Sequence, residues 1–240
     1  MRRPCWVVLN KKISFIFLAV IFILLIFFLA SMTIKSRGAG KAPPREMFKI
    51  GLERTIASES FRYQTETKLI TTGKANINFY SKVEGERAAP DQVQMKGTIM
   101  NTPVDFIQVG DSSYFRDQPS GRWVSLPGNK LSDMEIFYAE LNPLAYFNFK
   151  DIPDLKYKGI VKVNGERLLQ MEIRPILMDP FLELRLTDFS YMIWLSPEDY
   201  RIKQALIQAK EKNSPQSGIE INLSFWDYDK NISIVPPDVN

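Results

Sequence analysis

From residue 13 to residue 34 the chain reads ISFIFLAVIFILLIFFLASMTI, 22 positions without a charge. A helix built from this run is apolar on every face, and at about 1.5 Å per residue roughly 20 residues cross a hydrocarbon core about 30 Å thick. The run predicts a transmembrane helix. It exceeds the roughly 7–15 apolar residues of a cleavable signal, and Ala30-Ser31-Met32 makes a poor cleavage site, so the reading is an uncleaved anchor. Residues 35–43 (KSRGAGKAP) lose all apolar periodicity and read as a linker. Beyond them Phe48, Leu52, Thr55 and Ile56 share one helical face, which predicts a helix over about residues 44–58.

At Phe61 the period switches to two. Phe61, Tyr63, Thr65, Thr67 and Leu69 alternate with Arg62, Gln64, Glu66 and Lys68. A second alternation runs through Ala75, Ile77, Phe79, Ser81 and Val83, and a third through Val93, Met95, Gly97 and Ile99. Thr72-Gly73, Glu84-Gly85-Glu86 and Pro90-Asp91 are expected to punctuate them, and further strands are expected near 103–109, 113–117 and 122–126. The middle returns to a helical period: Leu131, Met134, Phe137, Tyr138 and Leu141 share a face, with Ser132 and Glu135 placed as a capping box and Asn142-Pro143 as the stop. A second set of strands is expected over 155–163 and 166–174 around Asn164-Gly165, over 189–195 and 200–209 around Ser196–Asp199, and over 218–228 and 231–235. Residues 175–187, apolar with two prolines, read as a loop plus a short helix.

Strands joined by local turns pair antiparallel, and an alternating strand presents one apolar and one polar face. The expected fold class is therefore α+β. A curved antiparallel sheet of about ten or eleven strands, a half-barrel, is covered on its concave face by a few helices and preceded by one transmembrane helix. The expected organisation is a cytoplasmic tail (1–12), the anchor (13–34), a linker (35–43) and an extracytoplasmic domain (44–240). Four basic residues flank the anchor on each side, so the positive-inside rule nearly ties, and the short tail before a long polar domain sets the orientation.

Charge sharpens this picture. Eight of the 31 basic residues precede the first acid, Glu46, so residues 46–240 carry a net charge of −4. The basic balance belongs to the flanks of the apolar run, and a nucleic-acid partner is not expected. The chain has no histidine, which removes the commonest general base and metal ligand at neutral pH. Its one cysteine, Cys5, precludes an internal disulfide and precedes the apolar run, where a lipid-modified cysteine would follow it. Asp227, Asp229 and Asn231 mimic the start of a calcium loop, but Ile232 stands where glycine is required and Asp238 where glutamate is. No enzyme, metal or cofactor is expected.

The remaining signal is the apolar side chains of the alternating strands. Candidate ligand contacts in the first half are Phe61, Tyr63, Leu69, Ile77, Phe79, Met95, Ile99 and Phe106. Phe137 belongs to the central helix, and Tyr157, Met171, Tyr191, Ile193, Ile221 and Phe225 belong to the second half. Such residues fill ordinary cores as readily as they line an acyl-chain cavity. As a cavity reading, a charge replacing Met95 or Phe106 is expected to abolish ligand uptake in a domain that still folds.

Element order and three phrases complete the reading. SSYFRDQPSGRWVSLP (112–127), IWLSPEDYRIKQA (193–205) and FWDYDKNISIVPP (225–237) follow an anchor, a helix and FRYQTETKL. Together they resemble the LolA/LppX-like superfamily of bacterial extracytoplasmic proteins, which includes lipoprotein carriers, mycobacterial lipid-binding lipoproteins and the RseB sensor. The resemblance covers about residues 44–237. It implies a lipid or acylated ligand in an apolar cavity, with another envelope protein as the alternative partner of a tethered regulatory or assembly module. No functional residue maps from it. A helix in place of a lipid-modified cysteine implies a tethered protein that senses, holds or hands over its ligand locally.

Overall fold

The computed structural model describes residues 42–239 apart from 71–78, 128–137 and 179. The expected tail, anchor and most of the linker lie outside the described residues, as do Ser132, Glu135, Ile77 and Phe137. Among the described residues no helix is long and apolar enough to cross a membrane. Residues from Pro44 onward form one compact unit.

Helix α1 (Pro44–Ile56) opens on a proline, with Glu46 in its first turn and Arg54 in its last, both favourable to the helix dipole. Its buried stripe is Met47, Phe48, Gly51 and Thr55. The expected stripe included Ile56, which is 52% exposed. Gly51 explains the rotation: a Cβ there would lie 2.1 Å from the Tyr200 carbonyl oxygen, so the backbone itself approaches the sheet on that side. Thr55 Oγ1 donates to the Gly51 carbonyl and accepts the Ile202 N–H, which pins the end of α1 to the sheet.

The first meander is β1 (Ser60–Ile70), β2 (Phe79–Ala88), β3 (Gln92–Ile99), β4 (Thr102–Val109), β5 (Ser112–Arg116) and β6 (Trp123–Pro127). A short helix α2 (Tyr138–Leu141) and a 3₁₀ helix (Pro143–Phe147) follow. The second meander is β7 (Phe149–Val163), β8 (Glu166–Leu177), helix α3 (Pro180–Arg185), β9 (Leu186–Leu195), β10 (Ile202–Glu211) and β11 (Ser214–Trp226). All eleven strands join one open, curved antiparallel sheet in the order β6-β5-β4-β3-β2-β1-β11-β10-β9-β8-β7. The two meanders therefore meet where β1 pairs with β11. The β7–β8 turn is the expected Asn164-Gly165, with φ of 50° and 91°.

Three expectations need correction. Gly85 does not punctuate but sits inside β2, because the Tyr63 phenol lies over it; a Cβ at Gly85 would be 2.5 Å from that ring. Pro175 does not end β8, which pairs with β7 as far as Leu177. It coincides instead with the loss of the partner on the other side. The β8–β9 ladder stops at Ile173 opposite Tyr191, where Pro175 has no N–H to give and Asp188 takes a φ of 56°. Residues 231–235 form no strand, although Ile234 is buried against the domain.

Candidate functional site

Residues directly opposite one another in an antiparallel pair share a face. The register therefore traces rows of side chains across the sheet. One row runs Phe225, Tyr63, Gly85, Met95, Phe106, Phe115 from β11 to β5. The next runs Tyr157, Met171, Ile193, Ala205, Leu223, Thr65, Val83, Gly97, Val104, crossing nine strands. A third runs Leu155, Ile173, Tyr191, Ile207, Ile221, Thr67, Ser81. Phe61, Leu69 and Ile99 fall on the same face by their alternation with these positions, and Phe79 occupies the register position opposite Leu69. The described candidates thus share one side of the sheet. Phe61, Tyr63, Met95, Ile99, Phe106, Met171, Tyr191, Ile193, Ile221 and Phe225 are buried. Leu69 is half-buried, and Tyr157, near the β7 edge, is 40% exposed.

On the β7–β11 half this face is closed by the protein's own rings. Phe147 of the 3₁₀ helix packs 6.1 Å from Phe225 and 6.2 Å from Phe149. Phe149 meets Tyr191 edge-on at 5.4 Å and Phe48 of α1 at 6.3 Å. The Tyr191 hydroxyl donates to the Tyr146 carbonyl at 3.0 Å, and burial holds that phenol well above its usual range. Edge-to-face rings at such spacings are favourable beyond their buried area.

The β1–β5 half is different. Tyr63 Oη, Thr65 Oγ1, Thr67 Oγ1 and Gln108 Oε1 are buried and have no hydrogen-bond partner among the described residues. By register all four belong to the apolar face, together with the small residues Ser81, Gly85, Gly97 and Ser113. Burial raises the Tyr63 phenol, near which Arg87 and Glu140 also act. Glu140 of α2 is itself buried, and the lost solvation raises its carboxyl. Arg87 donates to the Asn142 side-chain carbonyl at 2.9 Å. An unpartnered buried polar atom costs about 1–3 kcal/mol, and four such atoms lie on this one face among the described residues.

Met95 and Phe106 are each 1% exposed. An unpaired charge at such a position is too costly for the fold to keep, so a charged replacement reports on folding and not on uptake alone, contrary to the expectation. The calcium-like carboxylates are occupied by the protein's own cations and amides. Asp227 pairs with Arg62 at 2.6 Å, and Asp229 holds Arg201 and the Glu59 N–H. Among the described residues no group of three His, Cys, Asp or Glu side chains could hold a metal ion.

A cleft of about 910 Å³ opens where β8 and β9 part. It is lined by Arg174–Leu177 on one wall, Leu186–Ser190 on the other, and Glu183 of α3 beside them. None of the described candidates lines it. Its sequence signal was Pro175, the first proline of PILMDP, read as the end of a strand when it marks the end of a strand pairing.

The sheet is open, curved, eleven-stranded and antiparallel with helices on its apolar face, and the expected resemblance to the LolA/LppX-like group holds at the level of the fold. The chain is similar in structure to the Mycobacterium tuberculosis lipoprotein LppX, at 14% identity over 79% of this chain and 97% of that one, with a TM-score of 0.53. It is similar also to LprF from Mycobacterium bovis, at 13% identity over 82% and 99%, with a TM-score of 0.57. No protein-family model matches the chain, and no curated protein matches it by sequence.

Proposed function

We propose that residues 44–240 bind a lipid or acylated ligand against the apolar face of the sheet, outside the cytoplasmic membrane, tethered there by residues 13–34. The observation that carries this is the composition of the β1–β5 part of that face. Large apolar side chains alternate with a few buried polar atoms that lack partners among the described residues. Ligand pockets have that make-up, mostly apolar with a small number of placed polar groups. The polar atoms favour an amphiphile whose ester, amide or hydroxyl groups lie beside its acyl chains over a bare hydrocarbon. The role is binding without chemistry, and the tether makes it local holding, sensing or transfer.

The alternative, a module gripping another envelope protein by strand addition, fits the sheet edges poorly. β7 is irregular at three places and carries Lys150, Lys156, Lys158 and Lys162, and β6 is five residues long and ends on Pro127. Bulges, lysines and short edge strands are the usual protections against pairing.

Native mass spectrometry of the full chain, purified in detergent from its own membrane, tests the proposal. A bound mass in the lipid range that organic solvent removes supports it. A chain of bare sequence mass, with lipid present in the preparation, overturns it.

A further inference from the structure

We propose that the end of the domain at which the chain enters it, the rim of the β8–β9 cleft, rests on a lipid bilayer by apolar insertion and not by charge. The inference rests on the anchored reading above and adds to it an orientation and a contact surface.

Helix α1 fixes the point of entry. Near its start Arg45 donates to the Ile152 carbonyl at 2.9 Å, and the neighbouring Asp151 lies opposite Ile176 of β8. Near its finish Arg54 donates to the Asp199 carbonyl at 2.8 Å, and Thr55 receives the Ile202 N–H. The helix therefore runs along the sheet from the end where β7 begins and β8 finishes to the end where β10 begins. Pro44 stands at the first of these ends, and the uncharged run 13–34 precedes it by a nine-residue connection. Nine residues reach at most about 30 Å when fully extended.

That same end exposes large apolar side chains within one short stretch. Ile176 is 43%, Met178 58% and Leu184 77% exposed. Met100, in the β3–β4 turn at the same end of the sheet, is 51% exposed. Isolated exposed apolar residues need no explanation, but a group of them at the mouth of a cleft marks a contact surface. The opposite end presents Ile56 and the charged turn residues Glu198, Asp199, Arg201 and Lys203, and the segment that leaves it after β11 carries exposed Val235 and Val239 singly.

Charge does not drive the contact. Around the mouth Arg174, Lys210 and Lys212 are matched by Glu183, Asp188 and Glu220. Lys210 pairs with Asp188 at 3.2 Å, and the Lys212 ammonium donates to the Glu183 carbonyl. A balanced rim gains little from anionic headgroups, so a neutral bilayer suffices. Insertion of Leu184 and Met178 would set the open cleft against the acyl region, where a lipid leaving the bilayer first meets the domain.

The test uses the full chain with Cys5→Ser and a single new label site, either Leu184→Cys or Glu198→Cys at the opposite end. Each is labelled with an environment-sensitive fluorophore and reconstituted in phosphatidylcholine vesicles containing a nitroxide lipid quencher. The expected result is blue-shifted emission and several-fold stronger quenching at position 184 than at 198. The difference should persist in about 1 M salt, where the Debye length is about 3 Å. Equal quenching at the two sites in a chain that resists alkaline carbonate extraction overturns this inference and leaves the anchor standing. Quenching at 184 that salt abolishes also overturns it, in favour of a charge-driven contact. Release by carbonate overturns the anchor and the inference together. Ligand capture is scored separately by mass, so its failure is distinguishable from all three.

Discussion

Along a single row of the sheet, the apolar face changes character at β1. On one side lie Leu223, Ala205, Ile193 and Met171, and on the other Thr65, Val83, Gly97 and Val104. Both halves obey the same alternation and both bury most of this face. On the β7–β11 half, α1, the 3₁₀ helix and five interlocked rings supply the cover. On the β1–β5 half, buried hydroxyls and an amide oxygen have no partner among the described residues. One meander is thus closed by the protein's own rings, and the other buries polar atoms that lack partners among the described residues, so alternation alone does not separate the two halves.

Four substitutions would break or sharpen this contrast. Phe147→Ala empties the centre of the ring cluster and should cost about 3–5 kcal/mol, read by denaturant unfolding, with any retained ligand unable to restore it. Gly85→Ala drives a methyl into the Tyr63 ring and should cost about 1–3 kcal/mol, with ligand retention falling alongside the melting temperature. Thr65→Val removes an unpartnered hydroxyl at constant shape. The delipidated domain should gain about 1 kcal/mol while the fraction carrying ligand after purification falls. A loss of stability with unchanged occupancy would equate the two halves.

Glu140→Gln should have the smallest effect, and it depends on pH. Burial raises the folded-state carboxyl above its unfolded value, so the folded state keeps its proton to higher pH. Stability then falls as pH climbs from the ordinary carboxylate range through the raised value. Glutamine does not ionise, so the variant should match the parent near about pH 4 and exceed it near about pH 7.5. Melting curves at the two values check the sign.

Much of the sheet was legible because its signals are local. Phe61–Leu69, Val93–Ile99 and Asn164-Gly165 each state a strand or a turn within a few residues. What was not legible depends on pairs far apart in the chain. Gly85 looked like a turn residue until Tyr63 was known to lie on it. Pro175 looked like a terminator, whereas only the absent β9 partner shows what it interrupts. Period alone grouped the described candidates on one face, but period cannot tell Phe225, which meets Phe147, from Phe106, which meets Phe115 on the half that holds the unpartnered polar atoms. The unpartnered Thr65 and Thr67 were read simply as part of an alternation, because a threonine in a strand is unremarkable until its surroundings are known.

The pairing of β1 with β11 also dictates an order of manufacture. Residues 62–70 wait for residues 218–226, so the seam at the middle of the sheet closes only after the ten other strands have been made. Until then the strands of each meander pair only with their sequence neighbours and each keeps an unsatisfied edge, the long loop between the two still unclosed by strand pairing. A chain ending before residue 218 would therefore lose the strand beside the middle of the sheet and not a dispensable margin. Each of its two meanders would then present an unpaired, aggregation-prone edge.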